Sequence, residues 1–379
     1  SYVAHYLKAL ALYQQDELLL AQEAVSLALK FRQAHLPSHV LAGTIAYKQG
    51  EMNRAERHFR IYWNQVPGDR RVSLLLGATL LKLGEPAKAI EVLEPRVSAA
   101  EDDPQYLSLL GSAYLADGKP ARGIEYLEQA VSLSPDTANL RSQLAMGRLA
   151  AGEVDAAISD LEMAINLDGQ LVQADTLLVL TYLKRKEYDK ALTAIEPLME
   201  KVPDSPVPYN FRGAAHFGMG DTGAARRDYE QALKIQPDFL IAHLNLAKLE
   251  LSANNTAAAK GHYNDLLSYD KNNLKALLGM AALAYRDGQV NETEKWLKQA
   301  HEYHPKAIEP ALLLIEHYDR VGETGQALEL ARATSIDHRD NPTLLGLMAR
   351  IQLKTGDNTA AVATFRKLTE VLPNSPEAH

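Results

Sequence analysis

The chain has 379 residues, no cysteine and a formal net charge of −8. The lack of cysteine excludes disulfides and cysteine-ligated metal sites, and the acidic balance argues against general nucleic-acid binding, which requires clustered lysine and arginine. With 46% hydrophobic residues the chain can bury a sizeable core, and no apolar run approaches the roughly 20 residues of a transmembrane helix. Because the chain starts at Ser1 in a pattern that is already helical, we expect it to be a fragment of a longer protein.

A glycine recurs every 34 residues along most of the chain. The glycines on this grid are Gly50, Gly84, Gly118, Gly152, Gly220, Gly288, Gly322 and Gly356. Lys186 and Asn254 occupy the two remaining grid points, and extension toward the N-terminus reaches Asp16. Since no insertion breaks the register, the pattern predicts one domain, residues 1–379, built from eleven repeats. The repeats are 2–35, 36–69, 70–103, 104–137, 138–171, 172–205, 206–239, 240–273, 274–307, 308–341 and 342–375.

Each repeat is predicted to be a helical hairpin, with its residues numbered as frame positions 1–34 and the grid residue at position 15. Glycine at position 15 supplies the left-handed conformation that ends a helix. Asn254 tolerates that conformation, whereas Lys186 adopts it at a modest cost in strain. Helix A is therefore expected over positions 1–14 and helix B over about positions 17–30.

Frame positions 8, 20 and 24 predict how the two helices of a hairpin pack. Position 8 is small in most repeats, position 20 is usually alanine, and position 24 is large and apolar in nearly all of them. Small residues let the helices approach closely, and the large residue fills the space beside them. Thr293, Ala331 and Arg339 depart from this pattern, so less regular packing is expected there. Pro95 and Pro197 lie inside B helices, where we expect kinks.

The repeat 104–137 shows the pattern well, with Leu110, Gly111, Tyr114, Gly118, Leu127, Ala130 and Pro135. This 34-residue pattern resembles the tetratricopeptide repeat (TPR) family over essentially the whole chain. The resemblance implies an all-α, right-handed superhelical solenoid whose inner groove, lined by A helices, binds peptides or partner domains. It further implies a non-catalytic scaffold with a protein or peptide ligand.

Three motifs that look like chemical sites fit the repeat better. Gly218–Gly223 is a literal G-x-G-x-x-G, but it follows a predicted helix, whereas a dinucleotide site requires a strand there. His301 and His304 share one helix face and have no apparent third metal ligand. The acidic run Glu101–Asp103 falls in an inter-repeat loop, with Asp103 as a helix cap. We therefore expect no enzyme activity, no cofactor and no metal.

Frame position 13, near the end of helix A, is basic in several repeats. The residues are Lys48, Lys82, Lys184, Arg286, Arg320 and Lys354. One interpretation is that each cation stabilises the negative end of its helix dipole. The other is a ladder of cations inside an otherwise acidic array, suited to an acidic or carboxylate-bearing ligand.

The predicted partner-binding residues lie in three successive repeats, and they combine amides, cations and aromatic rings. They are Asn210, Phe217, Asn245, Lys248, Lys275, Tyr285 and Arg286. Such a surface suits an extended peptide with one acidic group and one bulky apolar side chain. The alternative for the rings is ordinary packing between A helices.

Some TPR proteins clamp a partner's C-terminal carboxylate with lysine and asparagine side chains from three repeats. Asn245 and Lys275 match that clamp. Asn210 and Ala214 stand where lysine and asparagine are expected, and Gly279 stands where a second cation is expected. The match is partial, which weakens the hypothesis of a cytoplasmic co-chaperone-like adaptor.

Two further hypotheses concern the biological context. The leucine- and alanine-rich style of 140–152 and 344–353 resembles the TPR lipoproteins of bacterial exopolysaccharide and protein-sorting (PEP-CTERM, exosortase) systems, which implies a periplasmic, lipid-anchored scaffold. A substrate-selecting arm of a TPR-bearing glycosyltransferase would need an asparagine ladder at frame position 6. Asn245 is the only asparagine found there in the ten repeats after residue 35, so this alternative is weaker.

The last repeat carries an apolar face around Phe365, Leu368 and Leu372, followed by Glu377-Ala378-His379. Helical arrays need polar terminal faces for solubility. We expect this face to be partly open and to be covered by further repeats or by end-to-end self-association.

Overall fold

A computed structural model describes residues 1–99 and 101–373, and within them it contains 22 α-helices, one 3₁₀-helix and no strand. The A helices are α1 (Tyr2–Gln14), α3 (Leu36–Lys48), α5 (Arg70–Lys82), α7 (Pro104–Ala116), α9 (Ala138–Ala151), α11 (Val172–Arg185), α13 (Pro206–Met219), α15 (Leu240–Ser252), α17 (Leu274–Arg286), α19 (Ile308–Val321) and α21 (Pro342–Lys354). The B helices are α2 (Leu18–Phe31), α4 (Met52–Gln65), α6 (Pro86–Leu93), α8 (Pro120–Leu133), α10 (Val154–Leu167), α12 (Tyr188–Lys201), α14 (Thr222–Ile235), α16 (Thr256–Tyr269), α18 (Val290–Tyr303), α20 (Thr324–Thr334) and α22 (Asn358–Val371). Every helix in the described chain is too short or too polar to cross a bilayer. The predicted all-α repeat fold is confirmed.

The chain forms two compact units, Ser1–Lys201 and Val202–His379. The first unit holds α1 to α12, and its main apolar core includes Phe59, Leu93 and Tyr106. The second unit begins at α13, and its cores form around Tyr229 and around Ile315. In both units each A helix packs against the B helix that follows it, and that B helix packs against the A helix of the next hairpin in the same unit.

The hairpin turns have the backbone conformation that the sequence predicts. All eight grid glycines have positive φ, from 69° at Gly288 to 89° at Gly322. Asp16, Lys186 and Asn254 occupy the same region at φ 59° to 62°. At the turn after α13, the Asp221 N–H donates to the His216 carbonyl at 2.9 Å and the Gly220 N–H donates to the Phe217 carbonyl at 3.1 Å, which is the Schellman pattern. The predicted left-handed conformation is therefore confirmed at these turns.

Frame positions 8, 20 and 24 form the tight contact between the helices of a hairpin, as expected. A Cβ atom built on Gly213 would lie 2.6 Å from the ring of Tyr229, and one built on Gly43 would lie 2.6 Å from the ring of Phe59. The position-20 alanines of nine repeats are completely buried. Thr293 takes that place in one repeat, and its hydroxyl donates to the Gln289 carbonyl at 2.9 Å.

The irregular positions behave differently from one another. At Pro95 the α-helix has already ended at Leu93, and a 3₁₀-helix, Glu94–Ala99, replaces the rest of helix B. At Pro197 helix α12 continues without interruption. Helix α20, which carries Ala331, has 11 residues, whereas the preceding helix α18 has 14. The expected irregularity is thus confirmed at the repeat of Ala331.

Polar pairs are buried inside several hairpins at frame positions 11 and 23. Arg148 donates to Asp160 at 2.5 Å in the first unit, and His216 lies 2.7 Å from Asp228 in the second. Burial raises the pKa of Asp160, and the charge and hydrogen bonds of Arg148 oppose that rise. Removal of Arg148 would be costly, because Asp160 is buried and would lose its main compensating charge.

The terminal apolar face is described as far as residue 373. Leu372 is 36% exposed, whereas Leu368 is buried and Phe365 is half-buried. The face is partly open among these residues, as expected. The segment Glu377–His379 lies outside the described residues, and end-to-end self-association stays a prediction.

The contact between frame positions 8 and 24 can be tested by adding single methyl groups. Gly213→Ala should lower the free energy of unfolding by about 1–3 kcal/mol, because the new Cβ would overlap the ring of Tyr229. Gly261→Ala is the control, since a Cβ there meets nothing within 4 Å and alanine raises helix stability by about 0.5–1 kcal/mol. Chemical denaturation of both variants measures the difference. Equal stability changes of the same sign would contradict this account of the packing.

Candidate functional site

The predicted amides in the second unit contact each other. Asn245 on α15 donates from Nδ2 to Oδ1 of Asn210 on α13 at 2.9 Å. Asn210 is only 5% exposed, and Asn245 is half-buried. These two amides were expected to bind a ligand. Instead, one hydrogen bond of each amide joins two neighbouring repeats.

The predicted cations on α15 and α17 are exposed, but their surroundings differ. The Lys248 ammonium lies 5.3 Å from the ring centroid of Phe217, within reach of a cation–π interaction. Phe217 is half-buried and packs on the core of its hairpin, as the alternative interpretation predicted. Lys275 is exposed at the start of α17 and forms no ion pair with any described residue. Of the predicted cations, Lys275 is thus the most available to a ligand.

The cations at frame position 13 mostly reach back to the preceding repeat. Lys48 pairs with Asp16 and also lies over the ring of Tyr13, and Lys354 pairs with Asp319. Lys82 lies over the ring of Tyr47, and Arg320 lies over the ring of Tyr285. Arg286 contacts Asn254. Arg286, for example, donates to Oδ1 of Asn254 at 3.3 Å, at the left-handed turn. These contacts correct the hypothesis of a freely available ladder: five of the six cations have partners in the neighbouring hairpin.

A cavity of about 220 Å³ opens between α17 and α19. Its walls come from Leu278, Tyr285, Leu313 and Arg320, among other residues. Tyr285 is 51% exposed, and the guanidinium of Arg320 lies 4.6 Å from the centroid of its ring. The cavity therefore offers apolar walls with a cation beside an accessible aromatic ring.

His317 on α19 also lines this cavity. It is 5% exposed, and its Nε2 has no hydrogen-bond partner among the described residues. Burial lowers the pKa of His317, Arg320 lowers it further, and Glu294 and Glu323 oppose the shift. A neutral buried ring with an unsatisfied nitrogen is a polar group that a ligand could satisfy.

Tyr285 and the position-13 cation Arg320 stand out in the sequence, but the cavity that they help to line does not. Leu278, Leu313 and His317 are ordinary helix A residues in the pattern, and no motif marks them. Leu313 is 38% exposed, and this exposure depends on how the helices pack, so the sequence does not predict it. A second depression, of about 410 Å³, lies beside Tyr47 and Leu75 on the A helices of the first unit.

Models of known protein families match several segments of the chain. Family models described as tetratricopeptide repeat match residues 46–113 and 216–280, residues 104–137, and residues 347–375. The match to residues 104–137 has the same bounds as one of the predicted repeats.

Two curated proteins show partial similarity. The uncharacterized protein ycf37 of Pyropia yezoensis is 37% identical over 68 residues, or 18% of this chain. The tetratricopeptide repeat and J domain-containing co-chaperone DNJ1 of Fusarium oxysporum f. sp. lycopersici is 25% identical over 168 residues, or 44% of this chain. The matched segments span only 38% and 27% of the length of these two proteins.

Similar solved structures include yeast Tom70 and a tetratricopeptide repeat protein from Parabacteroides merdae. Yeast Tom70 aligns with a TM-score of 0.56 and 14% identity over 99% of this chain and 93% of that chain. The Parabacteroides protein aligns with a TM-score of 0.53 and 14% identity over 66% of this chain and 99% of its own. At this level of identity the likeness concerns the fold alone.

The role of the asparagine pair can be separated from ligand binding by a stability measurement. Asn245→Ala should lower the free energy of unfolding by about 1–2 kcal/mol, because it leaves the buried Asn210 amide without its donor. A double-mutant cycle with Asn210→Ala should give a coupling of about 0.5–1.5 kcal/mol. Asn291→Ala, at an exposed position on α18, is the control and should change stability by less than about 0.5 kcal/mol. Zero coupling would contradict the structural role of the pair.

Proposed function

The chain belongs to the tetratricopeptide repeat family, and on that basis we propose that it binds a partner protein through the A helices of its second unit. Arrays of this family are generally non-catalytic scaffolds for protein–protein interaction. The observation that carries the proposal is the cavity between α17 and α19, with exposed Tyr285 at its edge. The ligand is an extended segment that inserts one bulky apolar side chain there.

The size and lining of the cavity support an apolar side chain. An engineered cavity of about 150 Å³ lined by apolar residues holds a benzene molecule. The cavity here, at about 220 Å³, can hold an aromatic ring or a leucine side chain. Leu278 and Leu313 supply apolar contact, and the unsatisfied Nε2 of His317 supplies one polar contact.

The charges around the cavity support an acidic group on the same ligand. Lys275 and Tyr285 are ten residues apart on α17, which corresponds to about 15 Å along a helix. Four or five extended residues, at about 3.3 Å each, span that distance. A segment with its apolar side chain beside Tyr285 therefore places a carboxylate four or five residues away near Lys275. Glu316 and Arg320 both line the cavity, so their charges offset each other there, and Lys275 is the cation that remains for the acidic group.

The carboxylate clamp of co-chaperone adaptors receives no support from the geometry. Asn245 already donates to Asn210. Gly279, which stands where a second cation is expected, is covered by Tyr263, since a Cβ atom there would lie 2.4 Å from the Tyr263 ring. This chain is similar to a J domain-containing co-chaperone, but its own residues do not form the carboxylate clamp.

Peptide binding can be tested with a displayed library of random peptides selected on the full chain and counter-selected on Tyr285→Ala. For a selected peptide, the double variant Lys248→Ala/Lys275→Ala should weaken binding by about 1–3 kcal/mol, or about 5- to 150-fold, and should flatten its salt dependence. Fluorescence anisotropy at two ionic strengths measures both effects.

The control for this experiment is Lys260→Ala/Lys271→Ala, which removes two exposed cations of the same unit from α16 and the loop after it. Neither double variant should change stability by more than about 0.5–1 kcal/mol. If both double variants bind the peptide equally well, Lys248 and Lys275 make no contact with it, and the proposed acidic group of the ligand is wrong. If selection yields no peptide that depends on Tyr285, the side of the array lined by the B helices becomes the alternative.

We also propose that the full-length protein is a lipid-anchored periplasmic scaffold in a bacterial exopolysaccharide or protein-sorting system. The support is the repeat style of 140–152 and 344–353, which resembles that of the TPR lipoproteins in such systems. The expected result is recovery of the native protein in the membrane fraction of the source cells, with release by spheroplast proteolysis. Recovery in the cytosolic fraction would exclude an envelope location.

A further inference from the structure

Two histidine pairs occupy identical frame positions, one in each unit. His39 on α3 faces His58 on α4, and His243 on α15 faces His262 on α16. In both pairs the A-helix residue is at frame position 4 and the B-helix residue is at position 23. The two A-helix histidines are buried, at 7% and 4% exposure, and the two B-helix partners are half-buried.

The A-helix histidine of each pair has a fixed orientation. Nε2 of His243 lies 2.8 Å from the carbonyl of Pro237, and Nε2 of His39 lies 2.8 Å from the carbonyl of Gln33. A carbonyl accepts only, so Nε2 carries the proton, and in the neutral ring Nδ1 is left with a free lone pair. Histidines that bind metals typically donate their other ring N–H to a backbone carbonyl in this way.

The pair in the second unit has a third potential ligand. Asp265 lies one turn after His262 on α16, and one ligand atom from each of His243, His262 and Asp265 lies within 4.8 Å of the other two. Asp265 is exposed, so its carboxylate can move toward the imidazoles. In the first unit the corresponding frame position holds Ile61, which cannot ligate a metal.

The distances between the imidazoles also differ. His39 Nδ1 and His58 Nδ1 are 3.0 Å apart, a normal hydrogen-bond length, whereas His243 Nδ1 and His262 Nδ1 are 3.4 Å apart. Two nitrogen ligands of a tetrahedral zinc ion, at about 2.0–2.1 Å from the metal, are about 3.4 Å apart. The second pair therefore has the spacing of two metal ligands.

The surroundings favour the neutral form of the B-helix histidine in each pair, which is the form that binds a metal. Burial lowers the pKa of His262, His243 lowers it further, Asp265 and Glu250 oppose the shift, and Arg226 adds to it. In the first unit, burial and the neighbouring histidine similarly lower the pKa of His58 to about 4. His262 and His58, the B-helix members of the two pairs, are thus neutral at neutral pH.

We propose that His243, His262 and Asp265 form a binding site for a divalent transition-metal ion of the Zn²⁺ type. Two imidazole nitrogens and one carboxylate oxygen suit Zn²⁺, and water fills the remaining coordination position. The ion joins helix α15 to helix α16 near the end of the hairpin opposite its turn. It therefore stiffens the hairpin that carries Asn245 and Lys248, independently of whether a peptide binds beside them.

The test is calorimetric titration of the metal-free, untagged chain with ZnCl₂, together with thermal unfolding with and without the metal. The wild-type chain should show one tight equivalent and a higher Tm with Zn²⁺. Asp265→Asn and His262→Gln should each weaken the affinity by more than about tenfold, because even loss of a second-shell partner costs 10–100-fold. Asp265 is exposed, so its variant should fold normally without metal.

The first unit provides matched controls. His58→Gln disrupts the pair that has no carboxylate, and it should leave the zinc affinity and stoichiometry unchanged. Ile61→Asp places a carboxylate at the frame position of Asp265, and it should add a second equivalent. Unchanged binding in both Asp265→Asn and His262→Gln would overturn the assignment and place the zinc elsewhere, for example at His301 and His304. Absence of a tight equivalent in the wild type would overturn it as well.

Discussion

The close contact between frame positions 8 and 24 controls the geometry of this protein. At Gly43 and Gly213, two of the glycines at position 8, the ring of the facing residue lies against the bare backbone, and a single added methyl group would overlap it. The left-handed turn at position 15 brings the two helices back onto each other. Together these features hold helices A and B at one register, because interiors packed at this density do not tolerate small shifts.

A fixed register means that equal frame positions meet equal neighbours. The histidine pairs at positions 4 and 23 illustrate this, since His39 and His243 lie six repeats apart and yet make the same contact with a carbonyl six residues earlier. Positions 11 and 23 similarly hold Arg148 with Asp160 in one hairpin and a glutamine–threonine pair in another, Gln352 with Thr364. The backbone frame is thus constant, and the side chains at a few interior positions differentiate one hairpin from the next.

The candidate site shows how far residue types can predict function. Tyr285 and Lys275, two of the predicted partner-binding residues, are exposed, and their binding role stays a prediction. Asn210 and Asn245 were expected to bind a ligand, but they bond to each other, since their separation across two A helices cannot be read from the sequence. The cations at position 13 were interpreted as a ladder available to an acidic ligand, but most of them contact the preceding repeat. The histidine pairs carried a signal that the sequence analysis missed, namely the recurrence of both residues at the same two frame positions.

The sequence alone is enough to infer the hairpins, the turn conformations, the alanine contacts and the family. These features depend on residues close together in the chain, and they are repeated many times. The partners of polar side chains, the cavity beside Tyr285 and the arrangement of His243, His262 and Asp265 emerged only from the packed helices. Each of these depends on distances of a few ångströms between helices. Such distances arise from the combined volumes of many buried side chains, and no local pattern in the sequence specifies them.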